Sequence, residues 1–167
     1  MFVHRCSEAD LKTLLDGPGA VLEYLDCRNL DLSGLDFSSR HLRWVRLNGA
    51  HLRDCVFQAA TLESVFCERA VLDGCRFDDA MIFESCFAGS HMHESAFVGA
   101  SADLCNFNSC VCDQVDFSDA SLRQSRFLNA QLTATRFINC DLRDALFQFS
   151  ERNEVSFKHS NYDEARF

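Results

Sequence analysis

The sequence has one proline and seven glycines in 167 residues, and no uninterrupted apolar run near the ~20 residues a membrane-spanning helix needs. A membrane-spanning protein is therefore not expected. The first residues, Met-Phe-Val-His-Arg-Cys-Ser-Glu, lack the basic stretch and apolar core of a secretory signal, which points to a cytoplasmic protein. Basic residues are scarce as well: 16 Lys and Arg stand against 25 Asp and Glu, leaving a net charge of −9. Holding nucleic acid by counterion release needs cations on phosphates, so direct nucleic-acid binding is not expected. Ten cysteines are too few for a disulfide scaffold, and a chain of this length buries a core without staples.

The apolar residues recur neither at 2 nor at 3.6 but at 5. Stepping by five from Leu32 to Phe167 gives 28 sites, of which all but Arg152 are apolar or aromatic. Two residues before these sites lies a second series that is, from Ala50 onward, almost uniformly small, for instance Ala50, Cys55, Ala60, Ala70, Cys75 and Ala80. One large and one small residue per five point inward, and the other three are mostly polar. Twelve of the 16 phenylalanines sit at repeat centres, and every one of those twelve carries a number ending in 7.

Units such as Ala120-Ser121-Leu122-Arg123-Gln124 and Cys140-Asp141-Leu142-Arg143-Asp144 resemble the pentapeptide-repeat family. The resemblance covers residues 30–167 without a break in register. It implies an all-β fold, a right-handed quadrilateral parallel β-helix of about seven coils, with four pentapeptides per 20-residue coil. With four sides per coil, the period of ten puts phenylalanine on two opposite sides. Upstream, Ser7 is a plausible N-cap with Asp10 three residues on, and Leu11, Leu14 and Leu15 share a face of a short helix that Gly17-Pro18-Gly19 ends. The expected division is an N-terminal cap over 1–28 and the β-helix over 29–167.

Few residues offer chemistry. Cys55, Cys75, Cys105, Cys110 and Cys140 occupy the small inward position and Cys27, Cys67 and Cys112 occupy centres, so core filler is expected rather than a metal or redox site. Only Cys86 is expected to face outward, without a neighbouring cation to activate it. His91 and His93 flank Met92 and read as exposed surface. No nucleophile, base and cleft are tied together, so no enzyme, cofactor or metal is expected.

Charge is the informative feature. From Phe77 to Leu122 the chain has no Lys or Arg but eight acids: Asp78, Asp79, Glu84, Glu94, Asp103, Asp113, Asp116 and Asp119. Spread over ~11 Å of axis they amount to one charge per ~1.4 Å, beside ~1.7 Å for duplex DNA. The resemblance extends to Qnr-type family members, acidic rods that occupy the DNA-binding saddle of DNA gyrase or topoisomerase IV. It implies a non-enzymatic protein-binding solenoid, a partial DNA mimic for a type II topoisomerase, with the belt as the contact and all four of Asp78, Asp79, Asp116 and Asp119 facing solvent. The alternative is a general interaction scaffold with another protein partner. Two departures from the Qnr-type members are expected: no long loop within the repeats and no dimerising helix after them. A homodimer is expected through the last coil, by way of Phe147, Phe149, Phe157, Tyr162 and Phe167.

Overall fold

A computed structural model describes residues 4–17 and 21–167. From Val21 onward the chain winds into a four-sided parallel β-solenoid of about seven coils. Each residue pairs with the one 20 positions on: Leu42 with Leu62, Leu62 with Ile82, and Met92 with Cys112. The side-chain alternation of a strand explains why five residues make one side. The centre and the small residue two before it turn inward, and the residue between them turns out. A corner then redirects the chain.

Those corners are the main backbone constraint. All 28 positions two after a centre, from Tyr24 to His159, have positive φ between 47° and 74°, and 23 of them are not glycine. Left-handed backbone costs an L-residue ~1 kcal/mol. The cost is offset because 24 of the 28 corner amides find a carbonyl in the next coil, as Asp79 N does with Val98 O at 2.9 Å and Leu104 N with Arg123 O at 2.9 Å.

The four sides can be followed separately. The first takes residues 21–24, 41–44 and onward by twenties, the second 26–29 onward, the third 31–34 onward, and the fourth 36–39 onward. Three-residue strands form on the first side in the early coils, β2 (Val21–Glu23), β4 (His41–Arg43), β5 (Thr61–Glu63) and β6 (Met81–Phe83). They form on the third side in the later ones, β7 (His91–His93), β8 (Val111–Asp113), β9 (Gln131–Thr133) and β10 (Glu151–Asn153).

Inside, the fourth side stacks Phe37, Phe57, Phe77, Phe97, Phe117, Phe137 and Phe157, and the second stacks Phe87, Phe107, Phe127, Phe147 and Phe167. Ring centroids repeat at 4.5–5.1 Å, the spacing of hydrogen-bonded strands. The two stacks meet across the core edge to face at 5.4–6.0 Å, the arrangement the ring quadrupole favours. The core is packed solid, with cysteine, alanine and serine filling the gaps between large centres.

At the N-terminal end, β1 (His4–Arg5) pairs with β3 (Leu25–Asp26) and the helix α1 (Glu8–Asp16) follows. Ser7 and Asp10 form a reciprocal capping box, with Ser7 N donating to Asp10 Oδ2 at 2.9 Å. Of the three leucines expected to share a buried face, Leu11 is buried, Leu15 is half-buried, and Leu14 is 40% exposed. Helix end and coil are tied by Arg40, whose guanidinium donates to Leu15 O at 2.6 Å and Gly17 O at 3.0 Å. This explains an arginine where the repeat asks for a small residue, since it satisfies two orphan carbonyls. Pro18 and Gly19 lie outside the described residues. The stack begins at β2 rather than at residue 29, because Leu22 and Cys27 already occupy centres and are buried.

At the other end, Phe147 is fully buried, which corrects its place in an exposed dimer surface. Phe167 stacks on it at 5.1 Å and Phe157 meets it edge-on at 5.6 Å. The polar centre Arg152 lies over the Phe167 ring at 4.8 Å, a cation–π contact, and Tyr162 stacks on Phe167 at 4.2 Å. No helix of the described residues is long and apolar enough to cross a membrane.

Candidate functional site

The eight belt acids fall on three sides of the solenoid. Asp78, Asp79, Asp116 and Asp119 lie on the fourth side, Glu94 and Asp113 on the third, and Glu84 and Asp103 on the first. They divide by position within the repeat. Four sit on the flat of a side, one residue before or after a centre, and four sit at corners.

The flat-side acids are occupied. Asp78 is 7% exposed: Arg76 reaches it at 2.5 Å, and it accepts from Val98 N at 3.2 Å. Asp103 accepts from Arg123 Nε at 2.7 Å, from Arg123 N at 2.9 Å and from Ser121 Oγ at 2.6 Å. Asp116 accepts from Ser118 N at 2.9 Å, with Arg136 3.6 Å away. Asp113 meets His93 Nδ1 at 2.9 Å. The expectation that Asp78 and its three neighbours all face solvent is therefore corrected for Asp78, which is part of the wall. A gap of 46 residues without Lys or Arg in sequence is not a gap in space, because Arg76 reaches in from the neighbouring position and coil stacking brings Arg123 and Arg136 alongside.

The corner acids project. Asp79, Glu84, Glu94 and Asp119 are all exposed. No arginine or lysine pairs with them among the described residues. Glu94 lies 3.5 Å from His93 Nε2, and Asp119 accepts from Asn139 Nδ2 at 2.6 Å. Glu94 marks one edge of the fourth side, and Asp79 and Asp119 mark the other. Counting only these four, the belt carries one charge per ~2.8 Å, about half the expected density.

Charge is unequal between sides. The first has eight acids against three bases, the third seven against two, and the fourth five against three, whereas the second has two acids against five bases. Reading the sequence linearly does not show this; reading it at a period of 20 does. The same period reveals an exposed apolar cluster on the first side. Met81 and Phe83 in one coil and Leu104 in the next are 49%, 43% and 56% exposed.

All ten cysteines are free thiols, and nine are buried. Burial pushes Cys105 up to about 12 and Cys140 up to about 11. The half-buried Cys86 is also raised, chiefly by burial, with the nearby Glu68 carboxylate adding to the effect. Cys110 Sγ and Cys112 Sγ lie 3.3 Å apart inside the core. Among the described residues no three His, Cys, Asp or Glu side chains gather as a metal site would require.

No curated protein matches the chain. Among solved structures it is similar to HetL, a pentapeptide-repeat protein involved in heterocyst differentiation regulation in the cyanobacterium Nostoc sp. strain PCC 7120. That match has 14% identity and a TM-score of 0.44, covering 96% of both chains. A trypsin-treated variant of QnrB1, a plasmid-mediated fluoroquinolone resistance protein, matches at 15% identity and a TM-score of 0.41, covering 84% of this chain and 83% of that one. A pentapeptide-repeat protein of the Arabidopsis thaliana thylakoid lumen matches at 20% identity and a TM-score of 0.39, covering 83% and 65%. The family model for pentapeptide repeats in eight copies matches residues 41–79 and 50–87, and that for the pentapeptide repeat region matches residues 70–167. With more than half its length matched and the five-residue register unbroken through its coils, the chain belongs to the pentapeptide-repeat family.

Proposed function

We propose that the solenoid is a cytoplasmic, non-enzymatic protein-binding rod that offers its acidic corners to a basic surface. The partner proposed first is a type II topoisomerase, DNA gyrase or topoisomerase IV, met in its DNA-binding saddle as a local DNA mimic. The observation that carries this reading is the set Asp79, Glu94 and Asp119 at the edges of the fourth side with Glu84 at the far corner of the first, all exposed and unpaired with any arginine or lysine among the described residues. Desolvating acids already tied to arginines gains a partner little. Free corner carboxylates steer association and form new pairs on contact. The test compares gyrase supercoiling with wild-type protein and with D79N/E84Q/E94Q/D119N, at low salt and micromolar concentration. Inhibition by the wild type that the quadruple variant loses supports the reading. A wild type that neither inhibits nor protects either enzyme refutes topoisomerase binding.

A second reading, an interaction scaffold for a different protein, draws on Met81, Phe83 and Leu104. An apolar cluster rimmed by Glu84 and by the Asp103–Arg123 pair has the anatomy of a protein interface rather than a DNA surrogate. Self-association through the last coil is proposed on Phe149, 84% exposed, together with Phe157, Tyr162 and Phe167. A sedimentation mass of two chains that Phe149→Glu reduces to one supports it, and a monomer at high micromolar concentration overturns it.

A further inference from the structure

The second side differs from the rest of the rod in charge and in shape. Its cations Arg46, Arg69 and Arg126 form no ion pair among the described residues, whereas Arg28 is held by Asp26 at 2.6 Å. Beside them runs a groove of about 630 Å³ that extends from Arg28 in the first coil to Asn108 in the fifth. Gly49, Ala88 and Gly89 form part of its lining and add no long side chain of their own, and the Asn29 amide oxygen and the Arg69 stem from the preceding coil lie 2.5 Å and 3.5 Å from where a Cβ on Gly49 and Gly89 would stand. A second hollow of about 390 Å³ shares Arg28 and Asn48 with the first and adds Arg46.

The polar lining is rich in donors. Asn106 and Asn108 use their Oδ1 atoms as acceptors, Asn106 for Asn108 N at 3.0 Å and Asn108 for Leu128 N at 3.0 Å. Their amide nitrogens have no partner among the described residues and remain available at the groove. The one acid in the lining, Glu68, is engaged by the Asn48 side-chain amide. Four coil steps at ~4.8 Å make the groove ~19 Å long, room for about six residues of extended chain at ~3.3 Å each.

We propose that this groove is a docking site for an extended acidic segment of a partner protein, its carboxylates meeting Arg46 and Arg69 and its backbone meeting the Asn106 and Asn108 amides. Nucleic acid fits less well. The main groove's lining holds no aromatic side chain, the single ring of Phe66 in the adjoining hollow is not the run of platforms that successive bases stack on, and the other three sides repel a long polyanion. The site is independent of the acidic corners and lies on the side they leave out. A single rod can thus accept partners of opposite charge on different sides.

The probe is a fluorescein-labelled octaglutamate peptide, followed by anisotropy with the full chain at 50 mM salt. Saturable binding is expected, weakened at least tenfold by R46E/R69E and several-fold by 300 mM salt, and unchanged within twofold by D79N/D119N on the far corner. These arginines form no ion pairs among the described residues, so the double variant is expected to keep the wild-type circular dichroism and thermal midpoint. Should it unfold, R69Q replaces it, with an expected loss of about threefold. Absence of saturable peptide binding overturns the proposal. So does binding that the arginine substitutions leave within twofold, or a labelled oligothymidylate of eight nucleotides that binds more tightly than the peptide. Failure of the gyrase assay leaves this outcome unaffected, because the two tests read different sides.

Discussion

One corner column isolates the energetics of the left-handed turns. Gly34, Asp54 and Gly74 occupy the same corner of the third side in successive coils. A methyl group built on Gly34, at φ +74°, meets nothing within 4 Å; on Gly74, at φ +69°, it falls 2.3 Å from Asp54 Oδ1. Backbone strain is equal at both sites. Gly34→Ala is therefore expected to cost ~1 kcal/mol, the left-handed penalty alone. Gly74→Ala carries that penalty and also forces the short Asp54 side chain out of its rotamer, a further ~0.5–1.5 kcal/mol, for a total near ~2 kcal/mol. With a urea m-value of ~2 kcal/mol/M, the larger loss moves the unfolding midpoint by ~1 M. In a double-mutant cycle, Asp54→Ala with Gly74→Ala should recover ~1 kcal/mol relative to the sum of the single changes. Equal losses at Gly34 and Gly74, or a cycle with no coupling, would refute the claim that the Asp54 oxygen reserves its space against the next coil.

Thiol titration tests the core. The native protein should react with Ellman's reagent at no more than one cysteine, Cys86, and at all ten in guanidinium; three or more fast thiols in the native state would contradict the packing. Acid titration tests the ion pairs on the sides. Hydrogen bonding from Arg143 holds Asp141 down to about 2, below the ~3.9 of a free carboxyl, so its contribution is complete above pH ~4 and lost as pH falls through about 2. The urea midpoint gap between wild type and Arg143→Gln should therefore narrow from pH 5 to pH 2, and a gap that widens would reverse the assignment.

The repeat itself is visible in the sequence, because one large and one small inward residue per five is a steric requirement that every unit must meet. Phenylalanine numbers ending in 7 are enough to place both ring stacks. What a linear reading misreads are the relations between coils. The run from Asp78 to Asp119 looks wholly unneutralised because Arg76, Arg123 and Arg136 are counted as outside it, although Arg76 reaches Asp78 and Arg123 lies one coil from Asp103. Phe147 looks terminal by number but has a further layer above it. Arg40 breaks the small-residue rule for the sake of a helix end 23 residues earlier, and nothing in its own pentapeptide announces the partner. The arginines of the second side are scattered in sequence and aligned only at a period of 20.

The same fixed separation has a kinetic consequence. Hydrogen bonds between coils join residues 19 to 21 apart in the chain, as from Leu52 N to Val71 O and from Val71 N to Ala50 O. Relative to 167 residues that separation corresponds to a relative contact order of about 0.12, closer to helical bundles than to β-sandwiches. A parallel sheet ordinarily folds slowly, because its strands must first close long crossovers. Here each coil closes a loop of constant, short length onto the one already formed. Folding can then spread from any nucleus by adding one 20-residue layer at a time, so the elementary step does not lengthen as the rod grows.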